Sequence, residues 1–193
     1  MMHSRAKQVS ALFLPALLSG MLLLVACEND LNKIKEISAK LVSLPIDTTR
    51  GVEIMYSDSA IVKGKMTTPL LIHYGIAKPY YTMPNGVKVL FYDKTLKEIG
   101  SIVSDSAVQR PKDNITEFYK NVVATNPQGD VFKSDELIFD QDKKKIYSNK
   151  PVQITTLSGD VINGINFQSD DKLTHYILQQ STGVFNVPDS TKK

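Results

Sequence analysis

The sequence has a single cysteine, no tryptophan and few histidines. A lone thiol cannot form an intramolecular disulfide, so stability must come from burial and strand pairing. Beyond residue 26 only His73 and His175 remain, and neither has a partner at metal-ligand spacing. The chain also lacks a G-x-S-x-G elbow, a phosphate loop and an H-E-x-x-H motif. These absences predict a protein that is not an enzyme and uses no metal or cofactor.

The chain also lacks a large excess of charge of either sign. Two of the 23 basic side chains, Arg5 and Lys7, lie near the N-terminus, which leaves 21 basic against 20 acidic side chains beyond residue 26. Such a balance provides no basic footprint for nucleic acid. The 167 residues from position 27 onward are enough for one domain with a core of its own.

The cysteine, Cys27, follows a long apolar run. Arg5 and Lys7 precede the apolar segment from Val9 to Val25, and the small residue Ala26 comes directly before Cys27. This order is typical of a secretory signal. Leu24-Val25-Ala26-Cys27 resembles the lipobox of bacterial lipoproteins, so we expect residues 1–26 to be removed and Cys27 to be acylated. The alternative is an uncleaved membrane anchor, for which roughly 17 apolar residues is the lower limit.

Residues 27–50 have a different pattern from the rest of the chain. Apolar residues recur there at steps of three and four, at Leu31, Ile34, Ile37, Leu41 and Leu44. This spacing predicts a short amphipathic helix ended by Pro45, serving as a tether for the domain. A helix that docks on a partner or lies at the lipid surface is the alternative.

From Gly51 the apolar period changes to two, which predicts an all-β antiparallel domain over residues 51–187, followed by a disordered tail, 188–193. Turn residues separate about ten short alternating segments. The eight segments with the clearest alternation are Val52–Tyr56, Val87–Phe91, Ile115–Tyr119, Val131–Phe139, Val152–Thr156, Val161–Phe167, Tyr176–Gln180 and Val184–Val187.

A short Ser-Asp motif recurs between these segments. Ser and Asp side chains form hydrogen bonds to nearby backbone amides where the chain turns, so the motif predicts a repeated strand-corner-strand unit. It occurs at Ser57-Asp58-Ser59-Ala60 and Ser104-Asp105-Ser106-Ala107, and more loosely at Ser134-Asp135-Glu136-Leu137 and Ser169-Asp170-Asp171.

Alternation also predicts which side chains face the interior of the domain. Because a packed core and a cleft for acyl chains need apolar residues at the same positions, the pattern leaves both open. The candidates for such a groove are Val52, Ile54, Tyr56, Tyr81, Val89, Phe91, Phe139, Phe167 and Phe185.

Several short sequence motifs resemble the LptC family of lipopolysaccharide export proteins, in the lipoprotein form of Bacteroidetes-like bacteria. They occur in the family's order, most of them within residues 51–187. The residues that carry the resemblance are Cys27-Glu28-Asn29-Asp30-Leu31, Tyr56-Ser57-Asp58-Ser59, Val89-Leu90-Phe91-Tyr92-Asp93, Ser104-Asp105-Ser106-Ala107, Asn121-Val122-Val123, Ser134-Asp135-Glu136-Leu137-Ile138-Phe139-Asp140, and Lys145-Ile146-Tyr147-Ser148-Asn149-Lys150-Pro151-Val152-Gln153-Ile154. The family tends to Gly-Asn-Val where this chain has Lys120-Asn121-Val122, and to a second glycine near Gly164.

The resemblance implies an OstA-like β-jelly-roll that opens as a V-shaped groove and binds the acyl chains of lipid A. It implies a bridge for outer membrane biogenesis, in which the N-terminal edge meets the transporter LptF/LptG/LptB and the C-terminal edge meets an LptA-like protein. The residues expected at these edges are Val52, Ile54, Val184, Phe185 and Val187. Unpaired edge strands suit such joining, since they recruit a further sheet.

The resemblance and the lipobox together imply a lipid-anchored protein at the periplasmic face of the inner membrane, with the outer membrane as the alternative. A different class of function is a surface or periplasmic lipoprotein that binds glycan or protein on a β-sandwich scaffold. That function would need exposed aromatic loops, for which Tyr80-Tyr81 is the candidate pair.

Overall fold

The computed structural model of the chain describes residues 46 to 186. Within that range the only helical piece is a single 3₁₀ turn, Pro111–Asp113, and no helix there is long and apolar enough to cross a membrane. The signal segment, Cys27 and the predicted tether up to residue 45 lie outside the described residues. Val187 and the tail 188–193 lie outside them too.

The domain is all-β, and every strand pairing is antiparallel, so the predicted fold class is confirmed. Over residues 46–186, twelve strands form one continuous sheet that curls into a roll. They are β1 (Ile46–Asp58), β2 (Ile61–Tyr74), β3 (Tyr80–Met83), β4 (Val87–Tyr92), β5 (Glu98–Ser104), β6 (Ser106–Arg110), β7 (Ile115–Thr125), β8 (Val131–Asp140), β9 (Lys145–Ser148), β10 (Val152–Thr155), β11 (Val161–Asp170) and β12 (Tyr176–Val184).

The first strand begins at Ile46, whereas the sequence places the start of the domain at Gly51. Residues 46–50 pair with the second half of β2, and the backbone turns through a positive φ of 62° at Gly51 before pairing resumes at Val52. Gly51 therefore lies at a bend inside the strand. The early residues are all exposed and mostly polar, so apolar alternation gives no sign of them.

Four long strands change partner midway, and these changes create the architecture. Each pairs with one short strand along its first half and with another along its second half. The exchanges are β2 with β4 over 64–67 and with β3 over 72–74, β7 with β6 over 115–119 and with β5 over 123–125, β8 with β10 over 131–134 and with β9 over 138–140, and β11 with β10 over 161–164 and with β9 over 167–170.

Through these exchanges the sheet folds into two layers. The layers meet at the short links between β3 and β4, between β5 and β6, and between β9 and β10, and we call these links the corners. The β3 layer contains β3, β6 and β9 with the adjoining strand halves, and the β4 layer contains β4, β5 and β10 with the others. The buried side chains fill the space between the layers as one cluster. This is the arrangement expected of the OstA-like β-jelly-roll, in which the hairpin turns opposite the corners surround the open side.

Side-chain hydrogen bonds hold the corners. At three crossings, a side chain of the long strand bonds to the corner that links the two short strands beside it. The bonds are Thr68 Oγ1 to the carbonyl of Gly86 at 2.8 Å, Asn121 Nδ2 to Asp105 Oδ2 at 2.7 Å, and Ser134 Oγ to the carbonyl of Pro151 at 2.9 Å. The same device thus fixes successive crossings.

The Ser-Asp phrases lie at two kinds of site. Ser104-Asp105-Ser106 links β5 to β6 at a corner, and Ser134 marks the crossing inside β8, so these two belong to a repeated corner unit. Ser57-Asp58-Ser59-Ala60 makes the hairpin turn between β1 and β2, while Ser169-Asp170-Asp171 ends β11. The latter two belong to ordinary hairpin turns on the open side.

Both ends of the sheet are single-partner strands. Within residues 46–186, β1 pairs only with β2, and β12 pairs only with β11. The N-terminal and C-terminal strands are therefore the two edges of the roll, as the resemblance implied for the neighbourhoods of Val52 and Val184.

Candidate functional site: a cavity between the two layers

An apolar cavity of about 460 Å³ lies between the layers on the open side of the roll. Both layers contribute to its wall, together with the hairpin turns around its mouth. Its large apolar side chains are Tyr56, Met66, Val89, Phe91, Phe118, Phe139 and Leu173. Tyr56, Phe91 and Phe139 are only partly buried, so the cavity is accessible from solvent.

Phe91 and Phe139 face one another across this cavity. Phe91 belongs to the β4 layer and Phe139 to the β3 layer, and their ring centroids are 6.4 Å apart in an edge-to-face arrangement. Such a contact contributes beyond the apolar area that it buries. The pair thus brings the two layers into contact at the wall of the cavity.

Two glycines create the space around Phe91. In the strand register Phe91 lies opposite Gly64 of β2 on one side and opposite Gly100 of β5 on the other. Directly opposite residues of antiparallel strands project to the same face, so Phe91 has no side chain beside it on either neighbour. Both glycines line the cavity. The cavity exists where these two side chains are missing.

The glycines are also required by the backbone. A Cβ on Gly64 would lie 2.8 Å from the carbonyl oxygen of Leu90, and a Cβ on Gly100 would lie 2.7 Å from that of Thr125. Real Cβ atoms do not approach a carbonyl oxygen so closely, so a larger residue would force the strands to move. Sequence reasoning missed both positions, although an isolated glycine inside a strand is a signal of close backbone approach.

The phenol of Tyr56 is at the β1 side of the cavity. Gln109 Nε2 donates to its hydroxyl at 3.4 Å, and the hydroxyl lies 3.8 Å from the sulfur of Met66. Burial raises the pKa of Tyr56, and the hydrogen bond from Gln109 acts in the opposite direction without cancelling it. The ring therefore presents a neutral, largely apolar surface to the cavity.

The C-terminal half of the interior is packed instead of open. Phe132, Phe167 and Tyr176 form an aromatic cluster with centroid separations of 5.5 to 6.3 Å. Phe132 and Phe167 are 0% exposed, and none of the three lines the cavity. The interior is thus an open groove toward the N-terminal strands and a solid core toward the C-terminal ones.

The predicted groove residues divide accordingly. Four of them, Tyr56, Val89, Phe91 and Phe139, line the cavity. The others lie elsewhere: Ile54 packs against the core, Phe167 is part of it, Tyr81 stacks on His73, Val52 lines a separate hollow on the β1 side, and Phe185 is exposed.

The predicted edge residues lie on or beside the two edge strands. Val52 and Ile54 belong to β1, Val184 is the last residue of β12, and Phe185 follows it. Of the predicted strand Val184–Val187, only Val184 belongs to β12, which begins at Tyr176; Phe185 and Asn186 follow that strand, and Val187 is outside the described residues. Val184 and Phe185 are 73% and 64% exposed.

Two hydrogen bonds from Asn186 hold the end of this segment against the turn between β10 and β11. Its backbone N–H donates to the carboxylate of Asp160, and its side-chain amide donates to the carbonyl of Ser158.

The mouth of the cavity carries charges of both signs. Three lysines, Lys63, Lys144 and Lys172, reach it together with Asp58 and Asp171. They stand on β1, on β2 and in two hairpin turns. An apolar interior with ammonium groups at its rim suits an amphiphile whose head group is anionic.

Sequence reasoning also missed Leu173 and Asn126. Leu173 is 2% exposed and stands in the turn between β11 and β12. Asn126, in the turn between β7 and β8, donates through Nδ2 to the carbonyl of Leu173 at 3.0 Å and so joins the two layers across the mouth. The turn around Asn126 was recognisable from its Asn-Pro-Gln-Gly-Asp sequence, but its partner in a distant turn was not.

The two histidines do not form catalytic arrangements. His73 Nδ1 lies 3.6 Å from Asp47, and its ring stacks on Tyr81. In the other case, Asp170 Oδ2 and Thr174 Oγ1 both lie 3.1 Å from the same nitrogen, Nδ1 of His175. Since a relay needs the base to use both ring nitrogens, this cluster is a turn and not a triad. Residues 46–186 contain no group of three or more His, Cys, Asp or Glu that could hold a metal ion.

A model of a known protein family matches most of the chain. The family model described as "Lipopolysaccharide-assembly, LptC-related" matches residues 21–184, which include every strand of the domain. A search of curated proteins gives no match.

The role of Gly100 in shaping the cavity predicts the effect of its replacement. Gly100→Ala should lower the free energy of unfolding by about 1–3 kcal/mol, because the new Cβ meets a backbone carbonyl that cannot turn away. Urea denaturation measures the loss. The comparison variant is Gly183→Ala, whose Cβ would lie 3.1 Å from the carbonyl oxygen of Val161 and 3.2 Å from the exposed ring of Phe185, both longer than the 2.7 Å at Gly100. Its loss should be smaller, and equal losses would contradict the close approach at Gly100.

Proposed function

The chain belongs to the LptC family, and from that membership we propose that its cavity receives acyl chains of lipopolysaccharide and passes them to the next β-roll of a transport bridge. Membership of the family gives the chain a role in lipopolysaccharide transport as a non-catalytic component. It also places the chain in the periplasm in association with the inner membrane. The route through the cavity and the individual partners are the proposal.

The observation that carries the proposal is the apolar cavity whose wall includes Phe91 and Phe139. Exposure of acyl chains to water is unfavourable in free energy. A cavity with an apolar wall stabilises them because it removes their surface from water. The mouth lies between hairpin turns and not within a closed barrel, so a chain could enter while its head group stays outside. The lysines at the rim favour an anionic head group there.

The edges support a place within a chain of β-rolls. A strand with one partner has a free row of backbone donors and acceptors, and these are satisfied when another sheet adds to it. We assign the β1 edge, with Val52 and Ile54, to the transporter LptF/LptG/LptB. The β12 edge, with Val184, Phe185 and Val187, is assigned to an LptA-like protein.

Acylation of Cys27 would hold the domain at the periplasmic face of the inner membrane. The segment from residue 28 to Pro45 is short, so the β1 edge would stay near the bilayer from which the lipid leaves. Two or three acyl chains on one cysteine give stable anchoring, whereas a single chain gives only reversible binding.

The alternative of a glycan-binding surface lipoprotein is not favoured by the placement of Tyr80 and Tyr81. Tyr80 stacks on Tyr74 with centroids 4.6 Å apart, and the guanidinium of Arg110 lies 5.9 Å from the centre of its ring. Tyr81 stacks on His73 at 4.7 Å. Both rings are engaged by neighbours and leave no paired aromatic platform for a sugar.

Photo-crosslinking tests the proposal directly. A photoreactive phenylalanine analogue in place of Phe91 or Phe139 should capture lipopolysaccharide in living cells, because both rings line the cavity. The matched control is position 88, on the same strand as Phe91, where Lys88 is exposed and outside this cavity. Equal capture at positions 88 and 91, or capture at neither cavity position, would overturn the assignment.

The β12 edge gives a second test. Phe185→Asp should weaken binding to an LptA-like protein by about tenfold or more, the scale of an aromatic anchor at an interface. Because Phe185 is 64% exposed, its replacement should leave the thermal midpoint nearly unchanged. Leu96→Asp is the control, since Leu96 is 61% exposed in the turn between β4 and β5 and belongs to neither edge strand. The edge assignment fails if the two variants bind the partner equally well.

A further inference from the structure

One buried hydrogen bond joins hairpin turns of the two layers across the open side of the roll. Within residues 46–186, two side-chain hydrogen bonds cross from layer to layer on this side. The first, from Gln109 to Tyr56, is 3.4 Å long and joins two strands. The second, from Asn126 Nδ2 to the carbonyl of Leu173, is 3.0 Å long and buried, and it joins the turn between β7 and β8 to the turn between β11 and β12. We call this second contact the clasp.

The side chain of Asn126 is fixed by its own turn. Its Oδ1 accepts hydrogen bonds from the backbone N–H groups of Gln128 and Asp130, at 3.0 and 2.8 Å. Its Nδ2 donates to Asp130 Oδ2 at 2.9 Å as well as to Leu173. Since Asp130 Oδ1 accepts the backbone N–H of Leu157, this turn is also tied to the neighbouring turn between β10 and β11. The amide of Asn126 is therefore held in place on the β4 layer.

The other half of the clasp is a strained turn. The φ of Leu173 is 58°, in the left-handed region that is unfavourable for leucine. Strained backbone persists only where the surrounding structure holds it, and it is frequent in clamps and switch regions. Leu173 is held by the clasp and by its side chain, which is 2% exposed in the cavity wall. Release of the clasp would relieve this strain.

The rest of that turn keeps its own hydrogen bonds. The carboxylate of Asp170 accepts hydrogen bonds from the backbone N–H and the hydroxyl of Thr174. Below the turn, Tyr176 packs against Phe132 and Phe167, with ring centroids 5.5 and 6.3 Å away. Movement is thus limited to the turn, residues 170–175, while the aromatic cluster stays in place.

The cavity has room for fewer methylene groups than the lipid of the proposed function carries. A volume of about 460 Å³ holds roughly 15 methylene groups, if each fills the ~30 Å³ that one water molecule has in the liquid. Lipopolysaccharide carries several acyl chains on one anionic head group. The layers cannot part at the corners, where the backbone joins them, so additional space has to come from the open side. The clasp lies on that side.

We propose that the clasp determines which amphiphiles the cavity admits. A single-chain amphiphile binds with the clasp closed, whereas a many-chained lipid has to open it. The inference rests on the proposed lipid-handling function and adds to it a specificity-determining residue, Asn126. The apparent affinity for the many-chained lipid is then lowered by the fraction of molecules in which the clasp is open.

An exchange of two side chains removes the clasp and little else. The exchange variant is Asn126→Asp combined with Asp130→Asn, which leaves the net charge unchanged. The bond between positions 126 and 130 persists with its donor reversed, and position 126 keeps an acceptor for the N–H of Gln128. Position 130 keeps an acceptor for Leu157, and neither exchanged residue lines the cavity. What is lost is the donor to the carbonyl of Leu173.

The test compares two ligands on the full chain: purified lipopolysaccharide in a nonionic detergent, and dodecyl phosphate below its micelle concentration. The exchange variant should bind lipopolysaccharide about fivefold more tightly or better, the lower end of the effect of leaving a buried carbonyl without its donor. Its affinity for dodecyl phosphate should equal that of the wild type, because one chain fits the closed cavity. A change that only loosened the domain would shift both affinities.

The matched control is the same exchange at a bond within one layer. Asn114 Nδ2 donates to Asp142 Oδ1 at 2.9 Å and joins two turns of the β3 layer. Asn114→Asp combined with Asp142→Asn should leave both affinities unchanged. Thermal midpoints check folding, and Asn126→Ser, which keeps an acceptor in the turn and has no amide donor, provides the comparison a second time.

The outcomes separate this inference from its premise. If the wild type and the exchange variant bind lipopolysaccharide equally well, the role of the clasp is wrong while lipid binding stands. Equal tightening for both ligands, or the same shift in the control at Asn114, would also overturn it. If the wild type does not bind lipopolysaccharide at all, the proposed function falls and the inference with it. Tighter binding of lipopolysaccharide alone, confined to the variants at Asn126, would establish the clasp.

Discussion

Each long strand of this domain has to serve two layers, and the rest of the structure depends on that constraint. A strand that changes partner must turn at the crossing without leaving backbone groups unpaired in the interior. Thr68, Asn121 and Ser134 meet this requirement by bonding to the corners of the neighbouring short strands. The two layers are joined along the corners. On the opposite side of the roll, only residues of the hairpin turns cover the gap between the layers.

The division of the interior into groove and core follows from which side chains are present between the layers. At Phe91 both cross-strand neighbours are glycines, so space remains beside the ring, which meets Phe139 of the other layer. At Phe132 the space is filled by Phe167 and Tyr176. Packing to interior density in one half gives the roll its stability, while the other half can hold a ligand without unfolding. A domain of this kind needs no catalytic group to handle lipid, since burial of an acyl chain is itself the interaction.

Apolar alternation identified the strands that have one clearly buried face, such as β4 and β8, and with them the fold class. It failed for the first residues of β1, which are exposed and polar, and for β2, where Pro69 interrupts a strand at the point of its crossing. Short strands such as β9, with four residues, have too few positions to show a period.

The site was harder to predict than the fold, because Phe91 and Phe167 have the same pattern in the sequence. Their difference depends on register: Gly64 and Gly100 flank Phe91 only after β2, β4 and β5 have paired. The bond from Asn126 to Leu173 likewise joins turns that are far apart in the chain. The family resemblance carried the functional assignment, and the structure adds where the interior leaves an open cavity.

A crystal structure of the protein with a bound long-chain alkyl phosphate would test the central claim most directly. The account predicts an acyl chain in the cavity that Phe91 and Phe139 line, with the cluster of Phe132, Phe167 and Tyr176 unchanged. A chain bound on the outer face beside Val52, or one threaded through the aromatic cluster, would contradict the division of the interior into a groove and a core.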